Sequence, residues 1–356
     1  MATQAPLRVL IVDDSAYNRK NIADILGGRD DVEVAGKAGD GDEALRLVSQ
    51  LKPDAITLDL EMPKMDGFTF LRILMSKQPT PVIVVSSYSN KENVFKALEL
   101  GAIDFVAKPD RQFRPDPAIR DEILNKVLLV RNLRPLTPPS PPGSARSAGQ
   151  ASSRNPDTVP RASVIPRYVV GIASSTGGPS ALIEVFTRLP ERFPGALLIA
   201  QHMPDKFTRT FAERLDKKGA LRVVEAQDNE TVSARRGYVC PGKQCMELVS
   251  LSGGLADLRL RIAGPNANDR YCPSGDRLLR SVANVAGLRA VGVILTGMGD
   301  DGVAGAKAIR AAGGIVIAES AETAVVYGMP AAAVRAGVVN EELPLSAIGD
   351  YLAALP

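Results

Sequence analysis

The sequence holds no tryptophan, one histidine and three cysteines, and only 4% of its 356 residues are aromatic. Cys240, Cys245 and Cys272 are odd in number and show no C-x-x-C spacing, which argues against a disulfide framework and a zinc cluster. An excess of one charge is missing too. Lys and Arg number 43 against 40 Asp and Glu, a net of +3, so a chain-wide basic footprint for nucleic acid is excluded. No apolar run approaches the roughly 20 residues that cross a bilayer. Residues 1–10 lack the basic-then-apolar order of a secretory signal. A cytoplasmic protein without membrane insertion is expected. A hydrophobic content of 45% and a charged content of 23% are ordinary for globular chains, and the length suggests two domains, each able to bury a core.

The middle of the chain breaks the pattern. Residues 131–165 are rich in Pro, Ser, Gly and Arg and cannot bury enough surface to offset their ordering entropy, so they read as a tether. Before it, Val- and Ile-rich runs at 8–12, 32–35, 55–60, 81–86 and 103–107 alternate with amphipathic segments at 15–26, 41–51, 67–75 and 91–100. A last helix is expected at 118–130. Five such units predict an open parallel sheet with helices on both faces. Beyond the tether the alternation returns, with strands predicted at 168–173, 197–200, 222–224, 290–295 and 315–318. Helices are predicted at 179–189, 207–217, 277–285, 303–312 and 321–336. Residues 237–262 read as a β-rich insert of hairpins turning at Pro241-Gly242 and Gly253-Gly254. The expectation is an α/β chain of a domain at 6–130, a linker at 131–165 and a domain at 166–356.

Ligands of open α/β sheets bind outside the carboxyl ends of the strands. Asp13 and Asp14 end the first predicted strand, Asp59 the third, Ser86 the fourth and Lys108 the fifth. Asp13 and Asp14 alone would read as a helix cap. Five such groups on one rim instead suit an acyl-phosphate site. There a carboxylate attacks a phosphoryl group while Mg²⁺ and an ammonium neutralise its oxygens. With these residues, 7–130 resembles a response-regulator receiver domain, a doubly wound (βα)5, flavodoxin-like fold. The resemblance implies that Asp59 is the phosphoacceptor and that Asp13, Asp14, Asp59 and the Glu61 backbone carbonyl hold Mg²⁺. It further implies that Ser86 and Lys108 bind the phosphoryl group, that Phe105 is the aromatic switch residue, and that a chemotaxis histidine kinase is the phosphodonor.

Three segments reach the corresponding edge of the second domain. They are Gly171-Ile-Ala-Ser-Ser-Thr-Gly-Gly-Pro179, Gln201-His202-Met203-Pro204 and Leu295-Thr-Gly-Met-Gly-Asp-Asp-Gly302. A serine beside a helix N-terminus, the lone histidine and a carboxylate on one rim form a constellation for acyl transfer. Spacing leaves Ser174 and Ser175 unseparated, and likewise Asp300 and Asp301. The chain order Ser, His, Asp differs from the Ser, Asp, His of α/β-hydrolases. The glycine turn lacks both G-x-G-x-x-G and the P-loop lysine, so a nucleotide site is disfavoured.

With S-T-G-G, Q-H-M-P and T-G-M-G-x-D-G in order, the residues from about 167 to the end resemble the methylesterase domain of the CheB family of chemotaxis regulators. This implies a doubly wound, Rossmann-like parallel sheet and a cofactor-free hydrolase. Ser175 would be the nucleophile, His202 the general base and Asp301 the residue orienting the imidazole. Met298 would be a backbone oxyanion donor and Thr176 a hydrogen-bonding neighbour of the nucleophile. The implied activity is hydrolysis of glutamate methyl esters, and deamidation of glutamines, on methyl-accepting chemoreceptors. It would be blocked by the unphosphorylated receiver and released by phosphorylation of Asp59. A DNA-binding output would need a helix-turn-helix and a basic face, and neither is present. An inactive receptor-binding scaffold is disfavoured by the three intact triad positions.

Overall fold

The computed structural model describes residues 5–87, 91–108, 117–133 and 164–356; most of the expected tether, 134–163, lies outside the described residues. The N-terminal unit runs β1 (Leu7–Val12), α1 (Ala16–Leu26), β2 (Val32–Ala38), α2 (Gly41–Leu51), β3 (Ala55–Leu58), α3 (Gly67–Lys77), β4 (Val82–Ser86), α4 (Lys91–Glu99), β5 (Asp104–Ala107) and α5 (Pro117–Leu128). Its five strands pair in parallel in the order β2-β1-β3-β4-β5. Strands β3, β4 and β5 are buried at every residue, as strands covered on both faces must be. Helix starts are set locally. Ser15, Asp40 and Asp66 each accept a hydrogen bond from the backbone N–H three residues on, satisfying donors the first turn leaves open. The strand order reverses between β1 and β3, which opens a crevice at their carboxyl ends.

The second unit holds β6 (Tyr168–Ser174), α6 (Gly178–Arg188), β7 (Gly195–Gln201), α7 (Thr208–Lys218), β8 (Arg222–Glu225), β9 (Arg236–Val239), β10 (Cys245–Ser250), β11 (Leu258–Ala263), α8 (Gly275–Ala286), β12 (Ala290–Ile294), α9 (Val303–Ala311), β13 (Ile315–Glu319), α10 (Met329–Arg335), β14 (Glu341–Leu343) and α11 (Leu345–Ala353). Seven strands form one parallel sheet, β14-β13-β12-β6-β7-β9-β8. Here the reversal falls between β6 and β12.

Three expectations need correction. The stretch 237–262 is one hairpin, not several. β9 pairs in parallel with β7 and β8 inside the main sheet, and only β10 and β11 pair antiparallel. Gly253 and Gly254, at φ +82° and +68°, make that hairpin's turn. Pro241-Gly242 instead carries the chain out of the sheet beside Asp205, where a Cβ on Gly242 would stand 2.3 Å from the Asp205 Cα. The helix expected at 321–336 begins only at Met329, because Pro330 is tolerated in a first turn and not inside a helix. Strand β14 and helix α11 were not anticipated; β14 is a polar Glu-Glu-Leu edge of three residues.

The two units meet along α4 and β5 on one side and α6 and α7 on the other. Phe95 and Phe105 pack against Phe207 and Phe211, with centroids 4.6 Å apart for Phe105–Phe207 and 5.5 Å for Phe95–Phe211. Glu99 pairs with Arg214 at 2.6 Å and Lys218 at 3.0 Å.

Phe186 is wholly buried under the second sheet and fills the space left by Gly237, whose Cβ would stand 3.0 Å from its ring. Phe186→Ala is expected to destabilise this unit by about 3–5 kcal/mol, read as a lower urea midpoint at unchanged m.

Candidate active site

At the crevice of the first sheet, Asp13 and Asp59 are buried and Asp14 is exposed, and one carboxylate oxygen from each lies within 4.8 Å of the others. Lys108 Nζ reaches Asp59 Oδ2 at 2.6 Å and Asp13 Oδ2 at 3.1 Å. The Ser15 N–H donates to Asp13 Oδ1 at 2.8 Å, and the Glu61 N–H to Asp59 Oδ1 at 3.3 Å. Burial pushes the Asp59 carboxyl up; Lys108 pulls it down less strongly, and Asp13 adds to the rise. For Lys108, burial lowers the ammonium, but Asp59 and Asp13 more than offset it, and the net shift is upward. Three carboxylates and no softer donor make a set suited to a hard, partly hydrated cation such as Mg²⁺. Ser86 is buried at the end of β4, and Phe105 faces the junction between the units.

The second crevice gathers the other residues. Ser174 ends β6 fully buried, and its hydroxyl donates to Gln201 Oε1 at 2.6 Å. Ser175, the next residue, opens onto a cavity of about 580 Å³ together with His202, Tyr271 and Met298. The two serines that spacing left unseparated are therefore separated by packing. The Ser175 N–H donates to the Thr296 carbonyl at 3.0 Å, and Gln201 Nε2 donates to the Ser175 carbonyl at 2.9 Å. The turn into α6 requires its glycines. Gly177 sits at φ +80°, and a Cβ on Gly178 would stand 2.1 Å from Gln201 Oε1.

The two aspartates part company in the same way. Asp301 is 1% exposed and its Oδ2 lies 2.8 Å from His202 Nε2. Its oxygens also accept from the N–H groups of Gly275 at 2.6 Å and Asp276 at 2.9 Å, the first turn of α8, where the helix dipole favours an anion. Burial pushes this carboxyl up. The hydrogen bond and charge of His202 and the two N–H groups outweigh it, and the net shift is downward. Asp300 points outward, to Arg270 and Tyr271. Ser175 and His202 line one cavity, but no hydrogen bond joins their side chains among the described residues. Thr176 lines the same cavity as Ser175, and its hydroxyl donates across the junction to Asp104 Oδ2 at 2.5 Å. Met298 is half exposed, and its N–H donates to no group among the described residues. The opposite wall of the cavity is α5, through Glu122, Asn125 and Lys126.

Three contributors escaped the sequence reading. Tyr271 stacks on His202 from a polar loop with no periodic signal. Helix α5 reaches the cavity only through the packing of the two units. Glu319 had a usable signal, an acid closing the apolar run Ile-Val-Ile-Ala at a parallel strand's carboxyl end. It is fully buried, accepting from the Thr296 N–H at 2.8 Å and the Thr323 hydroxyl at 3.0 Å.

Burial raises the Glu319 carboxyl to about 7, against partial opposition from its donors. An acid whose folded pKa is raised contributes stability that is full below its unfolded value, 4.5, and lost as pH rises through about 7. Glu319→Gln should therefore match the wild type at low pH and exceed it above neutrality, by up to about 3 kcal/mol. Denaturation across that range measures the difference, and parallel stability curves would contradict it.

The CheB methylesterase profile matches residues 170–352, and the response regulator receiver domain profile matches residues 9–114. The chain is 46% identical over 356 residues to protein-glutamate methylesterase/protein-glutamine glutaminase 1 of Myxococcus xanthus (strain DK1622), covering 100% of this chain and 99% of the relative. It is 39% identical over 361 residues to the protein-glutamate methylesterase/protein-glutamine glutaminase of Pyrococcus abyssi (strain GE5 / Orsay), covering 98% and 93%. Among solved structures, the Thermotoga maritima CheB methylesterase catalytic domain matches with a TM-score of 0.51 at 36% identity, covering 53% of this chain and 98% of that one.

Proposed function

Because the chain belongs to the CheB methylesterase family and carries a response regulator receiver domain, we propose that it is a phosphorylation-activated protein-glutamate methylesterase and protein-glutamine glutaminase acting in the cytoplasm on methyl-accepting chemoreceptors. No helix among the described residues is long and apolar enough to cross a membrane. The observation that carries the reading is the contact of buried Asp301 with His202, which opens onto the same cavity as Ser175.

Asp301, held ionised, accepts the Nε2–H of His202 and leaves Nδ1 as the free acceptor. Nδ1 takes the Ser175 proton as its Oγ attacks the side-chain carbonyl of a methylated glutamate. The developing oxyanion is met by the Met298 N–H. The imidazolium returns its proton to the departing methoxide and methanol leaves. Water, deprotonated by the same nitrogen, then releases the glutamate. With a glutamine substrate the leaving group is ammonia and the steps are the same.

In the receiver, Asp59 accepts the phosphoryl group from a chemotaxis histidine kinase, with Lys108 and Ser86 binding its oxygens. Bound Mg²⁺, held by Asp13, Asp14, Asp59 and the Glu61 carbonyl, would neutralise phosphoryl charge. Helix α5, part of the α4-β5-α5 face, walls the cavity and obstructs a macromolecular substrate. Asp104 ties this face to the active-site turn through Thr176, and Lys126 ties Asp104 to α5 at 3.1 Å. Phosphorylation of Asp59 draws on Lys108 at the end of the same strand, β5, and biases the junction toward opening.

Ser175→Ala should leave the fold intact by circular dichroism and reduce methanol release from methylated receptor membranes by at least about 10⁴-fold; near-wild-type release would refute the triad. Glu99→Lys, which sets a cation against Arg214 and Lys218, should raise the activity of the unphosphorylated full chain about tenfold and narrow its response to a small-molecule phosphodonor. Unchanged basal activity would count against the gating.

A further inference from the structure

Asp300 and Asp301 are consecutive, yet they connect to the same imidazole by different routes, Asp301 directly and Asp300 through Tyr271. Asp301 holds the edge of the ring through Nε2. Asp300 accepts from the Tyr271 hydroxyl at 3.0 Å and from Arg270 Nη1 at 3.1 Å. The Tyr271 ring in turn lies nearly parallel to His202, with centroids 5.2 Å apart and planes inclined by 11°. The glycine turn is shaped around this contact. Gly299 sits at φ +94°, and a Cβ there would stand 2.5 Å from the Tyr271 hydroxyl oxygen. The loop carrying the two carboxylates and the tyrosine that stacks on the histidine therefore fit each other at van der Waals range. Burial and then the Asp300 hydrogen bond raise the Tyr271 phenol above its ordinary range, so it remains a donor to Asp300 wherever the enzyme works.

We infer that Tyr271 is a positioning residue for His202, holding the imidazole by its face while Asp301 holds its edge, and that Asp300 anchors Tyr271. An imidazole tied by one hydrogen bond can still swing about that axis, and its second nitrogen then sweeps across the space where the serine proton must be handed over. A ring stacked on its face removes that freedom, and ring pairs of this kind are favourable beyond the area they bury. Misplacement of a reacting group by about 1 Å can cost a hundredfold in rate. The inference rests on the proposal that His202 is the general base.

The test uses the full chain with a small-molecule phosphodonor, methylated receptor membranes and the variants Tyr271→Ala, Tyr271→Phe, Asp300→Ala and Ser175→Ala. Tyr271→Ala should lower kcat about 10- to 100-fold while changing KM less than about threefold. Tyr271→Phe keeps the ring and should stay within about threefold of wild type, with Asp300→Ala between the two. His202 is the only histidine, so its carbon-bound ring protons can be followed by NMR without assignment ambiguity. They should be shifted upfield by the tyrosine ring in the wild type and in Tyr271→Phe, and lose that shift in Tyr271→Ala. Unshifted protons in the wild type would overturn the inference even if Tyr271→Ala failed to fold. So would a Tyr271→Phe as slow as Tyr271→Ala, or an unimpaired Tyr271→Ala. An Asp300→Ala indistinguishable from wild type would remove the anchoring role. An active Ser175→Ala would instead bring down the catalytic reading itself, separating the two failures.

Discussion

A carboxylate with almost no exposed surface survives as an anion only where donors surround it, and Asp301 shows how much structure that requirement recruits. Its partners are His202 at the end of β7, the first-turn N–H groups of Gly275 and Asp276 in α8, and the N–H of Gly302 at the start of α9. Breaking such a set leaves a charge stranded in low dielectric, which costs more than the lost hydrogen bonds themselves. The demand therefore fixes three distant segments against one another. The cavity with Ser175 lies where they meet.

The junction between the units is built on a different balance. Glu99, Arg214 and Lys218 are partly exposed, and ion pairs of that kind contribute little on their own in salt. The four phenylalanines are buried and carry more of the attraction. The contact between Thr176 and Asp104 places one receiver carboxylate directly on the turn that carries Ser175. Under the proposed gating, a junction of modest strength, tied at one point to the Ser175 turn, can hold the site closed and still be shifted by the few kcal/mol that a covalent charge supplies.

Much of this was open to reading from residue order. Alternating Val- and Ile-rich runs with amphipathic segments marked nearly every strand and helix around the two crevices, because burial on both faces demands continuous apolar strands. The misreadings share a cause. β9 is short and bounded by turn residues, like a hairpin arm, but its partners in the sheet lie 40 residues earlier in β7 and 14 residues earlier in β8. The segment before α10 has helical composition, yet the Val326 N–H is taken by the Thr296 hydroxyl at 2.9 Å and its carbonyl by the Gly297 N–H at 3.1 Å. Tertiary hydrogen bonds there override local propensity.

Strand-end position and residue chemistry are local properties, so the linear order was enough to place an acid cluster on one rim and a serine, a histidine and an acid on the other. Which of two adjacent side chains faces inward is not local. Ser174 turns into the sheet toward Gln201 while Ser175 turns to the cavity, and Asp301 turns to His202 while Asp300 turns to Tyr271. Those directions follow from the packing of loops far apart along the chain. The same packing brought Tyr271 onto the imidazole and Thr176 onto Asp104, contacts with no periodicity or spacing to announce them.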